Sequence, residues 1–261
     1  MRPIEITDLT KSFGEKVAVR GVTLSVPAGQ VIGYIGPNGA GKTTTVKILC
    51  GMLDGFGGRV SVCGVDVAQQ PLEVKRRIGY IPESAALYAM LTPLEYLQFI
   101  GTLYGLERRE TERRARELLG LFGLADELDN RMSTFSKGMR QKVLIVSGLI
   151  HNPEVIFMDE PLSGLDANSA VIVKEIITRL AQRGKTVFYC SHVMDVVERV
   201  CDRIVIINDG RIIADGTFEE LQAMNKAASL ERIFTQLTSA GGQADVAGRF
   251  VSALEGGGPG Q

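Results

Sequence analysis

The chain has 261 residues, 45% of them hydrophobic and 23% charged, proportions ordinary for a soluble globular protein with a substantial core. Lys and Arg total 29 against 30 Asp and Glu, so no net field selects nucleic acid or an anionic membrane as partner. Cys50, Cys63, Cys190 and Cys201 form neither a CxxC pair nor a zinc-spaced His/Cys cluster, which makes reduced thiols the expectation.

In chain order, residues 1–5 lack the apolar run of a signal peptide. Strands are expected at 4–9, 19–26 and 31–35, then a glycine-rich turn and a helical pattern over 44–53, then strands at 59–62 and 78–81. From Pro93 to about Leu124 the pattern is helical and strand-poor, and a helical insert over roughly residues 84–152 is the simplest account. Its charged run, 107–116, alternates in sign and reads as a solvated helix face rather than a nucleic-acid patch. The longest apolar stretch, 143–150, is too short to cross a bilayer, so any membrane task would need other polypeptides to do the spanning. Residues 155–158 are apolar on both faces, as in a strand covered on each side. Further strands are expected at 186–190 and 203–208. Asp209-Gly210 should turn the chain back tightly into 211–214, and Thr217 with Glu220 should form a capping box. The glycine-rich tail, 239–261, is expected to be flexible. Strands alternating with helices imply an α/β domain with a largely parallel sheet.

Three segments carry chemistry. Gly36-Pro37-Asn38-Gly39-Ala40-Gly41-Lys42-Thr43 fits GxxxxGK[ST] between an expected strand and an expected helix. Glycines there let backbone N–H groups and the helix N-terminus converge on nucleotide phosphates. Lys42 is suited to the β- and γ-phosphates of ATP and the Thr43 hydroxyl to Mg²⁺, with Thr44 beside them in the nucleotide-binding set. Asp159, ending the apolar strand, forms a Walker B pattern that would organise Mg²⁺. Glu160, one residue on, can orient or deprotonate an attacking water.

The remaining features resemble one family. Phe135-Ser136-Lys137-Gly138-Met139-Arg140-Gln141 resembles the ABC signature LSGGQ with its basic-Gln continuation, and Pro161-Leu162-Ser163-Gly164-Leu165-Asp166 resembles the D-loop. Ser191-His192 resembles the switch histidine, and Gly79-Tyr80-Ile81-Pro82-Glu83 occupies the Q-loop slot. Their order resembles the ABC ATPases over roughly residues 2–238. The resemblance implies one ATPase domain over 1–238: a P-loop NTPase core with a mostly parallel sheet, an N-terminal antiparallel β-subdomain and the helical insert.

It also implies roles. Phe13 matches the aromatic that stacks on adenine, and His192 would bond the γ-phosphate alongside Glu160 and Lys42. Glu83 would join Thr43 and Asp159 at the metal. Ser136 and Gly138 would close over ATP held by a second nucleotide-binding subunit, a copy or a close paralogue, with Asp166 in the adjoining D-loop. Integral membrane subunits would be the other partners, placing the protein at the cytoplasmic face of the membrane. Leu87, Tyr88, Met90 and Leu91 form a candidate contact strip for them, with ordinary helix packing as the alternative.

Two positions depart from the common pattern: Glu83 replaces Gln, and Lys137 with Met139 replaces Gly and Gln. Glu83 adds negative charge beside Asp159 and Glu160. Lys137 would either approach the partner's phosphates or point to solvent. These departures, with Ser229-Leu230-Glu231-Arg232-Ile233-Phe234, are similar to bacterial exporters of drugs, antibiotics, polysaccharides or lipids. Among rivals, DNA-repair and chromosome-organising relatives need a long coiled coil for which this spacing leaves no room. Translation factors carry two ATPase domains in one chain. A soluble regulatory ATPase stays open, while a small-molecule kinase has no use for a signature or D-loop.

Overall fold

Ten strands in two sheets organise the computed structural model, which describes residues 2–83 and 87–238 together with Ala253. β1 (Ile4–Phe13) and β2 (Lys16–Val26) pair antiparallel. β1 also pairs antiparallel with β4 (Gly57–Val62), which pairs with the short β5 (Val65–Asp66). The result is the expected N-terminal antiparallel β-subdomain. β1 and β2 approach each other more closely along the chain than expected, because Gly14, at φ 58°, closes a tight turn that sets Phe13 opposite Lys16.

The second sheet contains β3 (Val31–Ile35), β6 (Ile78–Ile81), β7 (Val155–Asp159), β8 (Thr186–Cys190), β9 (Arg203–Asn208) and β10 (Arg211–Gly216). Its order is β10-β9-β3-β8-β7-β6, parallel throughout except for the antiparallel edge pair β10–β9. Every residue of β3, β7 and β8 is buried, which explains why they read as continuous apolar runs. The period of two sorts their side chains onto two faces. Ile32, Tyr34, Val155, Phe157, Phe188, Cys190, Val205 and Ile207 share a core with the antiparallel sheet. Val31, Ile35, Ile156, Met158, Val187, Tyr189, Ile204 and Ile206 face the helices on the other side. The Asp209-Gly210 hairpin turn forms with both residues at positive φ, 45° and 73°.

The helices are α1 (Lys42–Leu49), α2 (Pro71–Arg77), α3 (Pro93–Leu103), α4 (Arg108–Leu121), α5 (Lys137–Leu149), α6 (Ala167–Gln182), α7 (Met194–Val200), α8 (Phe218–Asn225) and α9 (Leu230–Thr238). α1 is shorter than the pattern over 44–53. Gly41, left-handed at φ 105°, starts it directly at Lys42, and the turn at Gly51 ends it. The interval expected to be a helical insert carries α3, α4 and α5; its first residues, 84–86, lie outside the described ones. On α4, Thr111, Ala115 and Leu119 face inward while Glu110–Arg113, Glu110–Arg114 and Glu112–Arg116 pair outward, so the charged run is a solvated face. The Thr217/Glu220 capping box forms at the start of α8. The tail expected to be flexible lies outside the described residues apart from Ala253. Among the described residues, no helix is long and apolar enough to cross a membrane.

Parallel neighbours put their C-terminal ends on one edge, where open α/β sheets build their sites. β3 leads into 36–43, β8 into Ser191-His192, β7 into Asp159-Glu160 and β6 towards Glu83.

Candidate active site

The loop from Gly36 to Gly41 is shaped by close contacts that only hydrogen side chains allow. A Cβ on Gly36 would strike the Ile207 carbonyl, and one on Gly41 the Ala18 carbonyl, while Gly39 and Gly41 both adopt positive φ. Gly210 N–H donates to Ala40 O at 3.0 Å, tying the loop to the β9–β10 turn. Lys42 folds back over it, its ammonium donating to Gly36 O at 2.6 Å and Pro37 O at 3.1 Å. Pro37 is half-buried and Asn38 and Gly39 are exposed, so the loop's outer side is open to solvent.

A hollow of about 310 Å³ lies against the loop, lined by Phe13, Lys16, Ala18, Asn38, Gly39, Gly41, Lys42, Thr43 and Thr44. Phe13 is 48% exposed; it stands at the rim of this hollow and is not a core side chain. The antiparallel sheet thus reaches the phosphate loop through the end of β1.

Across from Thr43 stands Asp159, which is buried and accepts a long hydrogen bond from the Thr43 hydroxyl at 3.4 Å. Burial raises the Asp159 pKa above the usual carboxylate range, and the charges of Glu160 and Glu83 raise it further. Glu83 is exposed, yet its charge is felt at this carboxylate. Among the described residues, no three His, Cys, Asp or Glu side chains gather as a metal cage. An all-oxygen pair such as Thr43 and Asp159 fits Mg²⁺, which takes few protein ligands and completes its shell with phosphates and water.

Glu160 has a left-handed backbone, φ 49°, unusual for a residue with a Cβ. Its N–H donates to Cys190 O at 2.9 Å, locking the end of β7 to the end of β8. Ser191 Oγ donates to Glu160 Oε2 at 2.9 Å, and His192 Nδ1 stands 2.7 Å from Oε1. The carboxylate is mostly buried while the imidazole is largely exposed. Sequence reasoning placed Glu160 and His192 in one catalytic set, with His192 directed to the γ-phosphate and not to Glu160, and assigned Ser191 no role. The missed signal was Ser191's place at the end of the strand beside β7.

Ser136 and Gly138 lie elsewhere and do not line the hollow. Ser136 is the N-cap of α5, accepting from Met139 N–H at 3.1 Å, so this helix N-terminus is formed. Lys137 is exposed, in keeping with the solvent-facing course of the two expected. Its stem lies over Gly164 and its ammonium donates to Ser163 Oγ at 2.9 Å, because positive φ at Gly164 leaves that surface bare. Gln141 Nε2 donates to Pro161 O at 3.1 Å, and Lys142 Nζ lies 3.5 Å from Asp166. The signature helix therefore grips the 161–166 loop of its own chain. Within this chain Asp166 caps α6, accepting from Ser169 N–H and Oγ, which hold its pKa down to about 2.

The contact strip divides. Tyr88 and Met90 are exposed, Tyr88 meeting Phe99 edge-on at 5.9 Å, whereas Leu87 and Leu91 pack against the core.

Comparison with known proteins identifies the family. The family model described as ABC transporter matches residues 19–163. The chain is 41% identical over 236 residues to the ABC transporter ATP-binding protein NatA of Bacillus subtilis strain 168, covering 88% of this chain and 96% of that protein. It is 40% identical over 222 residues to the daunorubicin/doxorubicin resistance ATP-binding protein DrrA of Streptomyces peucetius, covering 85% of this chain and 67% of that one. A solved ATP-binding subunit of an ABC transporter superposes with a TM-score of 0.85 at 34% identity, over 90% of this chain and 99% of that one. A dimeric bacterial ABC transporter cassette superposes with a TM-score of 0.76 at 25% identity, over 82% of this chain and 98% of that one. The strand-end constellation, the formed signature helix and these likenesses lead to one conclusion: the chain belongs to the ABC transporter family, as an ATP-binding, ATP-hydrolysing subunit.

Proposed function

We propose that two such subunits, identical or closely related, clamp two ATP–Mg²⁺ between them and drive export through separate membrane-spanning partners at the cytoplasmic face of the membrane. The observation that carries the hydrolytic reading is the held carboxylate of Glu160, fixed by Ser191 and His192 one residue beyond Asp159. Lys42 and the amides of the 36–43 loop bind the phosphates, and Phe13 receives the adenine. Thr43 and Asp159 would hold Mg²⁺, with Glu83 adding charge nearby; the ion, when bound, neutralises phosphate charge. Glu160 orients the attacking water and takes up its proton, while His192 holds that carboxylate through Nδ1 and keeps Nε2 for the γ-phosphate. Ser136 and the Gly138 amide close the site of the other subunit. The domain reading is a single ATPase unit over 1–238.

Export is supported by the likeness to a drug-resistance protein named for daunorubicin and doxorubicin. Tyr88 and Met90 offer exposed apolar surface for the membrane partner. The test is Glu160→Gln, which keeps the hydrogen-bonding shape and removes the base. We expect ATP binding within a factor of about two of wild type and turnover lower by about 10²–10⁴. ATP should then trap a dimer visible by light scattering. Robust hydrolysis by this variant would remove Glu160 from the role of base.

A further inference from the structure

Lys11 lies two residues before Phe13 on β1, and its ammonium is held in place from outside the nucleotide hollow. It donates to Asp54 O at 2.7 Å and to Gly55 O at 2.9 Å, two carbonyls of the loop that follows α1. The same ammonium stands 5.0 Å from the centroid of the Phe13 ring. Lys11 is absent from the lining of the hollow, whereas Phe13 belongs to it. One cation therefore engages the ring, the β1 end and the 54–55 loop together.

We propose that Lys11 is a positioning residue for the nucleotide base, acting through Phe13. This rests on the reading of Phe13 as the adenine platform. Two effects follow from the geometry. The cation draws electron density from the ring, which weakens the quadrupole repulsion that disfavours stacking one π face on another. The two carbonyl anchors also hold the ammonium against the ring before nucleotide arrives, so less side-chain freedom is lost on binding. A half-exposed phenylalanine at a strand end would otherwise sample several rotamers.

The experiment compares calorimetric affinities for ATP and for inorganic tripolyphosphate, which keeps the phosphates and lacks the base. Lys11→Met should weaken ATP about two- to fivefold and leave tripolyphosphate unchanged. Lys11→Arg, which restores cation and donors, should recover most of the loss. In a Phe13→Ala background the Lys11→Met change should have no further effect on ATP, since the two residues act as one unit. A purely structural role for Lys11 would weaken both ligands together, and that result overturns the proposal. So does an unchanged ATP affinity in Lys11→Met, or a loss that persists undiminished without Phe13. If Phe13→Ala itself leaves ATP affinity intact, the adenine-platform reading fails and the role of Lys11 fails with it. If Phe13→Ala weakens ATP while Lys11→Met does not, the platform stands and only Lys11 is excluded.

Discussion

Asp159, Glu160 and Glu83 crowd negative charge where a triphosphate must arrive, and this is the point at which single residues decide behaviour. The raised pKa of the buried Asp159 records that crowding, with Glu160 and Glu83 both contributing after burial itself. A glutamine at position 83 keeps an oxygen ligand and removes one charge. Without divalent cation, ATP should bind Glu83→Gln about two- to threefold more tightly than wild type, the size expected for one screened charge near the phosphates. Added Mg²⁺ should narrow the difference, because the ion neutralises the repulsion itself. An ATP affinity in chelator equal to that of wild type would leave Glu83 without this influence. The identities of these acids were legible in the sequence, since Asp159 ends the apolar strand β7, Glu160 follows it at once and Glu83 stands two residues past β6. Their conformations were not. The left-handed backbone of Glu160 is a strain of about 1–3 kcal/mol, held by a bond to Cys190 from a strand 30 residues away in sequence. No local pattern encodes such a contact.

Elements with a local chemical signature were the ones best read in advance. The Asp209-Gly210 hairpin and the Thr217 capping box depend on neighbouring residues, and both form as expected. The bounds of β3, β6, β8 and β9 match the expected strands; β3 and β8 are buried throughout and β6 and β9 at most positions, and burial on both faces favours apolar runs. Lys137 shows the opposite case: its partner, Ser163, belongs to another loop, and only the bare Gly164 lets the side chain lie down there. Local signatures also carry energy. At the start of α3, Thr92 Oγ1 accepts from Glu95 N–H at 3.2 Å while Thr92 N–H donates to Glu95 Oε2 at 2.9 Å, and Pro93 occupies the first turn. Thr92→Ala removes the acceptor and should destabilise the fold by about 1 kcal/mol. For a domain of this size the melting temperature should fall by about 2–4 °C in calorimetry. Glu95→Ala should give a smaller loss of the same sign, because Thr92 still caps. Equal melting curves for Thr92→Ala and wild type would show that the cap contributes nothing measurable.

At the scale of the whole molecule, the phosphate loop and the signature occupy different places in one chain. Lys42 and Phe13 line a common hollow, and Ser136 and Gly138 do not. The signature helix is instead bound to the 161–166 loop through Lys137, Gln141 and Lys142. If each working site combines the phosphate loop of one subunit with the signature of another, defects in the two segments must complement. Lys42→Ala disables phosphate binding; Ser136→Arg blocks the signature and loses an N-cap worth about 1 kcal/mol, which a folded domain tolerates. Each variant alone should be nearly inactive. In a mixed dimer one site inherits both defects and the other inherits none. Random pairing of equal amounts makes half the dimers mixed, so independent sites would restore about a quarter of wild-type ATPase activity. Strict coupling between the sites would restore less, and Glu160→Gln added to the Ser136→Arg chain, which supplies the intact phosphate loop, should abolish whatever returns. If the site were complete within one chain, mixing would give only the average of the two inactive variants. ATPase rate measured against mixing ratio separates these cases, since composite sites predict a maximum near equal proportions and self-contained sites predict a straight line.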